Sequence, residues 1–410
     1  MTGLPRRIAV MVFLAFAFAY FLSALLRGVT ATLAPVFSSE LGLRAGDLGL
    51  LAGAYFLGFA ILQLPLGNAL DRHGPRRTLL VLLAMAVLGC VAFAQARGLA
   101  GLFAARALIG AGVAACLMAP LTCYRHHFTP SAQLRANSWM LMTGSLGMVA
   151  ATLPVQWLLP AWGWRGLFWC LAGLLVLAMV LVAWQVPADR LAAPSVGDSR
   201  RAEPGYRAIV RHPLFMRMVP LGFFVYGGLI AVQALWAGPW MTQVGDATAG
   251  QAAQGLFIIN MTMLFTFMSW GALMPNLARR GYSATWLMSR GLPVCLGLLC
   301  INITLGPAAG AWHWAAWCAA CTFVSVSQPA LGQAFSPSMA GRALSAFNLV
   351  IFGGVFCIQW GMGLLIDLFQ GLGWTTLAAY RGTFSVFAMC GFLSYAWFIW
   401  PRAATAENPG

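Results

Sequence analysis

The chain has 410 residues, of which 61% are hydrophobic and only 8% are charged, and its mean hydropathy is +0.81. Because soluble domains carry about 25% charged residues, this composition excludes a soluble domain and predicts an all-α membrane protein that crosses the bilayer many times. The net charge of +15 rests entirely on arginine, since the sequence contains no lysine. The arginines do not cluster with aromatic residues in a soluble segment, so we expect basic loops facing an anionic leaflet and no nucleic-acid partner.

Twelve apolar segments follow one another along the chain, and each is long enough to cross the hydrocarbon core as a helix. The first five cover about 8–37, 48–66, 78–96, 102–122 and 135–159, and the sixth ends near 186. The last six cover about 214–241, 255–274, 285–305, 308–331, 344–366 and 377–400. Between the two sets, 187–213 is rich in charge, proline and glycine. We therefore predict an N-terminal six-helix bundle in 1–186, a linker in 187–213 and a C-terminal six-helix bundle in 214–410.

The arginines divide unevenly between the two sides of this arrangement. Seventeen lie on the side that holds both termini and the linker, four lie on the other side, and three lie within spans. By the positive-inside rule, the side with seventeen faces the cytoplasm. We expect an integral protein of a bacterial inner membrane, with the N- and C-termini both cytoplasmic.

A short polar loop between the second and third spans carries the most specific pattern in the sequence. The loop reads G-N-A-L-D-R-H-G-P-R-R, and its marked residues are Gly67, Asp71, Arg72, Gly74, Arg76 and Arg77. This pattern resembles the loop signature of the major facilitator superfamily, which that family carries between spans two and three. The resemblance implies two pseudo-symmetric six-helix bundles around a central path, and a secondary transporter that works by alternating access.

The second half of the chain repeats parts of the first. The segment G-A-L-M-P-N-L-A-R-R-G at 271–281 keeps the leading glycine and the arginine pair of the loop signature but lacks its acid. Gly373-Trp374 follows the eleventh span as Gly163-Trp164 follows the fifth. Repetition after six helices is typical of secondary transporters, so it supports the two-bundle prediction.

Arg27 in the first span is the candidate centre of a substrate site. Tyr20 and Ser23 share its helical face, and a guanidinium at bilayer depth costs about 2.5–3.5 kcal/mol, so such residues face a cavity or a partner. The resemblance implies that the first helix of each half lines the substrate path, with Arg27 pointing into the cavity. The alternative is that Arg27 snorkels or binds backbone carbonyl groups. The pattern Tyr20…Arg27…Pro35 also resembles the branch of the family that moves organic anions, amino acids or nitrate-type solutes.

Other polar and aromatic residues fall in spans that line the path in this family. The candidates for substrate contact are Tyr226, Gln233 and Trp236 in span seven, Gln328 in span ten and Asn348 in span eleven. Taken singly, each is as well explained by packing between helices. Together they predict a cavity with hydrogen-bond donors and aromatic walls, suited to a small polar solute.

Arg106 belongs to R-A-L-I-G-A-G in the fourth span, which is similar to the fourth-helix arginine and glycines of the family. Gly110 and Gly112 permit close contact between helices. The resemblance implies either a structural role or a role in proton coupling for Arg106, and we favour the structural role. Arg290, within the ninth span, is expected to snorkel towards the cytoplasmic surface.

The acidic residues are all absent from the middle of the predicted spans, because the nine of them lie in loops, the linker, the tail or at span ends. A buried cation without a buried acid favours an anion as its partner. The leading hypothesis is therefore a secondary transporter of a small organic or inorganic anion or an amino-acid-like metabolite, with or without a co-transported ion.

Two alternatives stay open, a multidrug or metabolite exporter and a non-transporting receptor on the same fold. The multidrug exporter is disfavoured because span five lacks the proline-glycine run typical of drug antiporters. No catalytic or metal-binding motif is present, so we expect no enzyme activity, no catalytic residues, no metal and no cofactor. We expect a monomer.

The signature loop provides a first test. The resemblance implies that Asp71 helps to hold the two halves together on the cytoplasmic side, facing the start of span eleven. Because a carboxylate near a helix N-terminus stabilises by about 0.3–1 kcal/mol, Asp71→Asn should shift the balance between outward-open and inward-open states without removing substrate affinity. The measurement is conformational exchange alongside transport. Parental values of both in the variant would refute the gating role.

Overall fold

The structure is a computed structural model that describes residues 5–187 and 206–400. Its helices, which we number in chain order, are α1 Arg6–Leu41, α2 Ala45–His73, α3 Pro75–Gln95, α4 Leu99–Gly112, α5 Met118–His127, α6 Pro130–Ala150 and α7 Leu153–Gln185 in the first half. The second half contains α8 Tyr206–Arg211, α9 Pro213–Gln243, α10 Ala249–Arg279, α11 Ala284–Leu305, α12 Ala311–Cys321, α13 Ser327–Ala334, α14 Pro337–Gly371 and α15 Thr376–Ile399. The described chain contains no strand, which confirms the all-α prediction.

Nine of the described helices are long and apolar enough to cross a membrane, namely α1, α2, α3, α7, α9, α10, α11, α14 and α15. Predicted spans four and ten are each split into two shorter helices, and span five is divided between α6 and α7. The count of twelve crossings therefore stays a prediction. Most of the predicted linker, 188–205, lies outside the described residues, and the short helix α8 follows that segment.

Four interruptions of the predicted spans occur about one turn before a proline, whereas the π-helical turn Leu221–Tyr226 of α9 directly follows Pro220. The chain leaves α-helical geometry at 113–117, between α6 and α7, in the π-helical turn Val232–Trp236 of α9, and in the 3₁₀ turn Thr322–Val326. Each break includes or adjoins the residue four positions before one of Pro120, Pro154, Pro239 and Pro329. A proline ring removes one helical hydrogen bond and clashes with the carbonyl four residues earlier, so it forces the local change.

Proline alone does not dictate a break, however. Pro35, Pro65 and Pro293 lie inside continuous helices. A proline thus permits an interruption, and the neighbouring helices decide whether the chain bends or breaks there.

In each half, an arginine donates hydrogen bonds to the carbonyl groups at the C-terminal end of a corresponding helix. In the first half, Arg165 donates a 3.2 Å hydrogen bond to the carbonyl of Ala96, just after α3. In the second half, Arg381 donates to the carbonyl groups of Ile303 and Thr304, at the end of α11, over 2.9 and 2.7 Å. Terminal carbonyl groups lack helical partners and carry the negative end of the helix dipole, so an arginine stabilises both ends. This correspondence supports the internal repeat seen in the sequence.

Helices α2 and α14 bring the two halves together. At Gly49, an added Cβ would overlap the carbonyl of Gln359, and at Gly363 it would overlap the carbonyl of Ala45. Backbones can approach this closely only where the side chain is a hydrogen atom. These contacts lie at the end of the molecule away from residues 67–77. We call that end the closed end, and the end that carries 67–77 the signature-loop end.

Glycine also sets the spacing of α2, α3 and α4 within the first half. An added Cβ at Gly110 would overlap the carbonyl of Tyr55 in α2, and one at Gly112 would overlap the backbone of Ala86 in α3. On α2, an added Cβ at Gly58 would likewise overlap the carbonyl of Ala107 in α4. The three helices therefore pack backbone to backbone, as the glycine spacing in α4 would allow.

Replacing Gly110 with alanine should lower the thermal unfolding temperature, because the methyl group has no space between α2 and α4. The cost expected for overpacking is about 1–3 kcal/mol. Gly173→Ala is the matched control, since nothing lies within 4 Å of an added Cβ at that helical position. Tryptophan fluorescence of detergent-purified protein measures both variants. Equal unfolding temperatures for the two variants would contradict this account of the packing.

Candidate functional site

Arg27 lies in the middle of α1, in the space between α1, α2 and α9. Its side chain is half-buried and keeps some accessible surface. Its guanidinium interacts with the hydroxyl groups of Tyr20, two turns earlier in α1, and Tyr55 in α2. Within 5–187 and 206–400, no carboxylate is among its electrostatic partners. The cation is therefore held by phenol groups and not by an acid.

Tyr55 joins the two arginines of the first half. Its hydroxyl donates a 3.1 Å hydrogen bond to the carbonyl of Ser23, which leaves the oxygen lone pairs directed to Arg27. Its ring lies under Arg106, with the guanidinium carbon 5.1 Å from the ring centroid. One buried tyrosine thus stabilises two cations through different parts of its side chain.

Arg106 is fully enclosed, with 1% of its surface exposed. Its Nη2 donates to the carbonyl of Leu26 at 2.7 Å and to the hydroxyl of Thr30, both in α1. Its Nε and Nη1 have no hydrogen-bond partner among the described residues. Arg106 therefore fixes α4 against α1 beside Arg27, and it has no surface open to a solute in this conformation.

The second half contributes Tyr226, at the end of a π-helical turn in α9. Tyr226 interacts electrostatically with Tyr20 and Arg27, so α1 and α9 face each other across the same space. Gly144 of α6 makes room for the Tyr20 ring, since an added Cβ would lie 2.5 Å from a ring carbon. The structure thus brings together three of the sequence-predicted residues, Arg27, Tyr20 and Tyr226. Ser23 lies one turn from Arg27 and is buried.

The predicted amide residues of the second half are paired with one another. Gln233 of α9 donates a 2.9 Å hydrogen bond to Asn260 of α10, and Gln328 of α13 donates a 2.8 Å bond to Asn348 of α14. Both glutamines keep some accessible surface. The amides connect neighbouring helices first and offer only their remaining polar atoms to a solute.

Trp236 differs from the other sequence-predicted residues of the second half. Its side chain has no exposed surface, and its indole N–H donates a 3.2 Å hydrogen bond to the carbonyl of Gln359 in α14. In this conformation it packs between α9 and α14 and does not reach the space around Arg27.

Tyr55 is the site residue that sequence reasoning missed. It stands in G-A-Y-F-L-G-F, in the middle of a glycine-rich span. A single tyrosine hydroxyl at that depth needs a polar partner, and glycines on either side indicate close neighbouring helices. A tyrosine between glycines in an apolar span therefore indicates a polar contact between closely packed helices.

The two ends of the molecule differ in how the halves meet. At the closed end, the Asp367 carboxylate of α14 accepts hydrogen bonds from the backbone N–H groups of Ala45 and Gly46 at 3.2 and 2.8 Å. These N–H groups open α2, so the carboxylate also meets the positive end of that helix dipole. Further in, Phe59 and Phe352 pack with ring centroids 4.6 Å apart.

At the signature-loop end, the loop itself is exposed. Asp71 and Arg72 are exposed, and nothing lies within 4 Å of an added Cβ at Gly67. Gly74 has φ 79° and separates α2 from α3, as the loop pattern requires, while Arg76 donates to the carbonyl of Ala183 near the end of α7. Arg77 is exposed. The contact expected between Asp71 and the start of α14 is therefore not formed in this conformation.

The family model of the Major Facilitator Superfamily matches residues 16–356. The chain belongs to the major facilitator superfamily. Among solved structures, the chain resembles a bacterial homologue of the human lysosomal transporter Spinster, in an inward-facing and unoccupied conformation. The TM-score is 0.75, the identity is 18%, and the match covers 97% of this chain and 100% of the other. A D-xylose-proton symporter gives a TM-score of 0.74 at 15% identity, covering 96% of each chain.

A nucleoside transporter gives a TM-score of 0.71 at 12% identity, covering 96% of this chain and all of that one. A curated relative is a chloramphenicol resistance protein of Streptomyces lividans, 33% identical over 170 residues. That match spans 41% of this chain and 43% of the relative. Family and fold therefore make this superfamily member a membrane transporter of the secondary type, in agreement with the loop signature.

The bond between Asp367 and α2 generates a prediction about conformation. Asp367→Asn should weaken the closed end, because the amide carries no charge to meet the helix dipole, and the population open at that end should rise about two- to five-fold. The measurement is the distance between spin labels at Gln95 and Leu372 in a background without the native cysteines. Asp246→Asn is the control, since Asp246 is an exposed acid at the same end. An unchanged distance distribution in Asp367→Asn would exclude the latch.

Proposed function

We propose that this superfamily member moves a small anion across the membrane by alternating access, and that Arg27 binds the anion. The observation that carries the proposal is a half-buried guanidinium lined by tyrosines, with no carboxylate among its partners in the described chain. A fixed cation at bilayer depth is stabilised most by a charge of opposite sign, and the described residues provide none beside Arg27.

The chemistry around Arg27 suits a carboxylate or a similar planar anion. A guanidinium offers paired N–H donors that match two oxygens of one anion. Tyr226 and Tyr20 are placed to donate further hydrogen bonds or to contact an apolar part of the solute. A small organic anion or an amino-acid-like metabolite would use all of these groups.

The transport cycle follows from neutralisation of that charge. An anion that enters from the signature-loop end pairs with Arg27 and cancels its charge, so closing the halves around the site no longer isolates a lone cation. Asp71 would then approach the start of α14, while Asp367 releases α2 at the closed end. Each state is held by one acid at one helix N-terminus.

An exporter is the second candidate, and one observation favours it. The curated relative is named for chloramphenicol resistance, and it is similar to nearly half of this chain. Under this hypothesis the same cavity receives its solute at the signature-loop end and releases it at the closed end. Direction of transport and chemistry of the solute are separate questions, so an exported anion would satisfy both candidates.

The test begins with ligand stabilisation of purified protein by carboxylates, amino acids, phosphate, nitrate and chloramphenicol, because only a ligand that binds the folded protein raises its unfolding temperature. Proteoliposomes loaded on either side then give the direction of transport for each ligand that binds. Stabilisation by chloramphenicol alone, with no response to any anion, would favour the exporter and contradict the anion site.

Variants of Arg27 test the site itself with the best-binding anion of that panel. Arg27→Gln should raise the Kd by about 10- to 100-fold, because it removes a charged double hydrogen bond. Arg27→Lys should lose less affinity, because it keeps the charge but not the planar fork. Arg97→Gln is the matched control, since Arg97 is exposed. Near-parental affinity and uptake in Arg27→Gln, with normal membrane insertion, would contradict anion binding by Arg27 and indicate a structural role for it.

A further inference from the structure

A groove on the flank of the second half lies outside the site around Arg27. It has a volume of about 510 Å³ and runs between α10, α11 and the end of α12 at the signature-loop end. Its walls are largely apolar, with Leu273 and Leu277 on α10, Val294 on α11 and Phe323 beyond α12. Leu273 and Val294 are 51% and 55% exposed, so the groove opens outward from the bundle.

Arg290 is the charged residue of this groove. It lies six residues inside α11, about 9 Å along the helix from its first residue. Its side chain is exposed, and it has no hydrogen bond or ion pair within the described residues. None of the described residues that line the groove is acidic. An arginine that belongs to a membrane-crossing helix and has no protein partner there needs an anion from its surroundings.

Aromatic residues mark the depth of the groove in the membrane. Trp286, which lines the groove, packs against Tyr282 with ring centroids 4.6 Å apart, and the two side chains are 43% and 40% exposed. Exposed tryptophan and tyrosine at a helix end are typical of the membrane interface. Arg279 and Arg280, just before α11, add positive charge at the same level. The open side of the groove therefore meets lipid at the level of the headgroups.

We propose that the groove is a binding site for an anionic phospholipid. The phosphate pairs with Arg290, the headgroup lies near Trp286, and one acyl chain follows the apolar wall between Leu277 and Val294. A lipid is favoured over a free anion because the space beside the arginine is apolar and opens to the bilayer. By the positive-inside prediction, this end faces the anionic leaflet, which supplies such lipids. The proposal does not depend on the proposed transport substrate.

A corresponding groove in the first half supports this assignment. It has a volume of about 430 Å³ and lies between α2 and α3 at the same end of the molecule. Its walls are again apolar, including Leu62 and Val81, and its basic residues are His73 and Arg77. Helices α2 and α3 correspond to α10 and α11 in the internal repeat. The same combination of apolar groove and nearby arginine thus occurs in both halves, at corresponding places in the internal repeat.

Native mass spectrometry of the full chain, released from detergent with added lipid, tests the proposal. The probes are dioleoyl phosphatidylglycerol, which is anionic, and dioleoyl phosphatidylcholine, which has the same acyl chains but no net charge. We expect the protein to retain phosphatidylglycerol in preference, and Arg290→Gln to reduce this retention about fivefold while leaving phosphatidylcholine unchanged. Arg290→Lys should retain part of the preference. Arg97→Gln, an exposed arginine at the closed end, is the matched control.

A second variant tests the apolar part of the groove. Ala319 lines it, and Ala319→Leu would fill space beside Phe323 without altering charge. We expect Ala319→Leu to reduce retention of phosphatidylglycerol as well, with an unchanged unfolding temperature in lipid-free detergent. Excess inorganic phosphate should not displace the lipid. Parental retention in Arg290→Gln, or full displacement by inorganic phosphate, would overturn the proposal.

Discussion

The first half of this transporter depends on how Tyr55 accommodates two guanidinium groups. Arg27 belongs to α1, and Arg106 of α4 contacts α1. No acid within the described residues neutralises either of them. The ring of Tyr55 lies under one, and its hydroxyl meets the other. This arrangement requires α2 and α4 to approach closely, which is why Gly58 and Gly110 lie at their contact. The positions of the two arginines therefore depend on Tyr55, and the position of Tyr55 depends on the glycines that let α2 and α4 approach.

The two arginines are satisfied to different extents, and that difference defines the site. Arg106 uses its Nη2 group on a carbonyl and a hydroxyl of α1 and is enclosed. Arg27 interacts with the phenol groups of Tyr20 and Tyr55 and keeps accessible surface. A neutral hydroxyl compensates a cation less fully than a carboxylate does, and this supports the proposal that Arg27 binds an anion. We propose that Arg106 holds the helices in place so that Arg27 can stay available.

Much of the fold could be predicted from the sequence, because hydropathy, the loop signature and the arginine distribution each report on a whole segment. The position of Arg27 beside Tyr20 followed from helical spacing within one helix. The partners across helices did not follow, as Tyr55, the Gln233–Asn260 pair and the buried Trp236 illustrate. In a membrane span the lipid-facing and protein-facing sides are both apolar, so hydropathy does not reveal how the helix is rotated.

The interruptions of the helices could be predicted from the sequence only in part. Pro239 and Pro329 are visible in the sequence, and each altered turn, Val232–Trp236 and Thr322–Val326, includes the residue four positions before the proline. Pro35 is equally visible, and α1 continues through it. Whether a proline breaks a helix depends on the neighbours that can satisfy the freed carbonyl, and those neighbours are known only once the helices are packed.

The weakness of the contact at the closed end fits a protein that must alternate between states. Asp367 holds α2 by two backbone hydrogen bonds and the helix dipole, and no arginine or lysine takes part. A carboxylate at a helix N-terminus contributes only about 0.3–1 kcal/mol when exposed, and up to about 2 kcal/mol when partly buried. A buried ion pair would cost about 3–5 kcal/mol to break and would trap one state. Two weak latches at opposite ends, Asp367 in this conformation and, as we propose, Asp71 in the other, keep the two states close in free energy. A single bound solute can then decide between them.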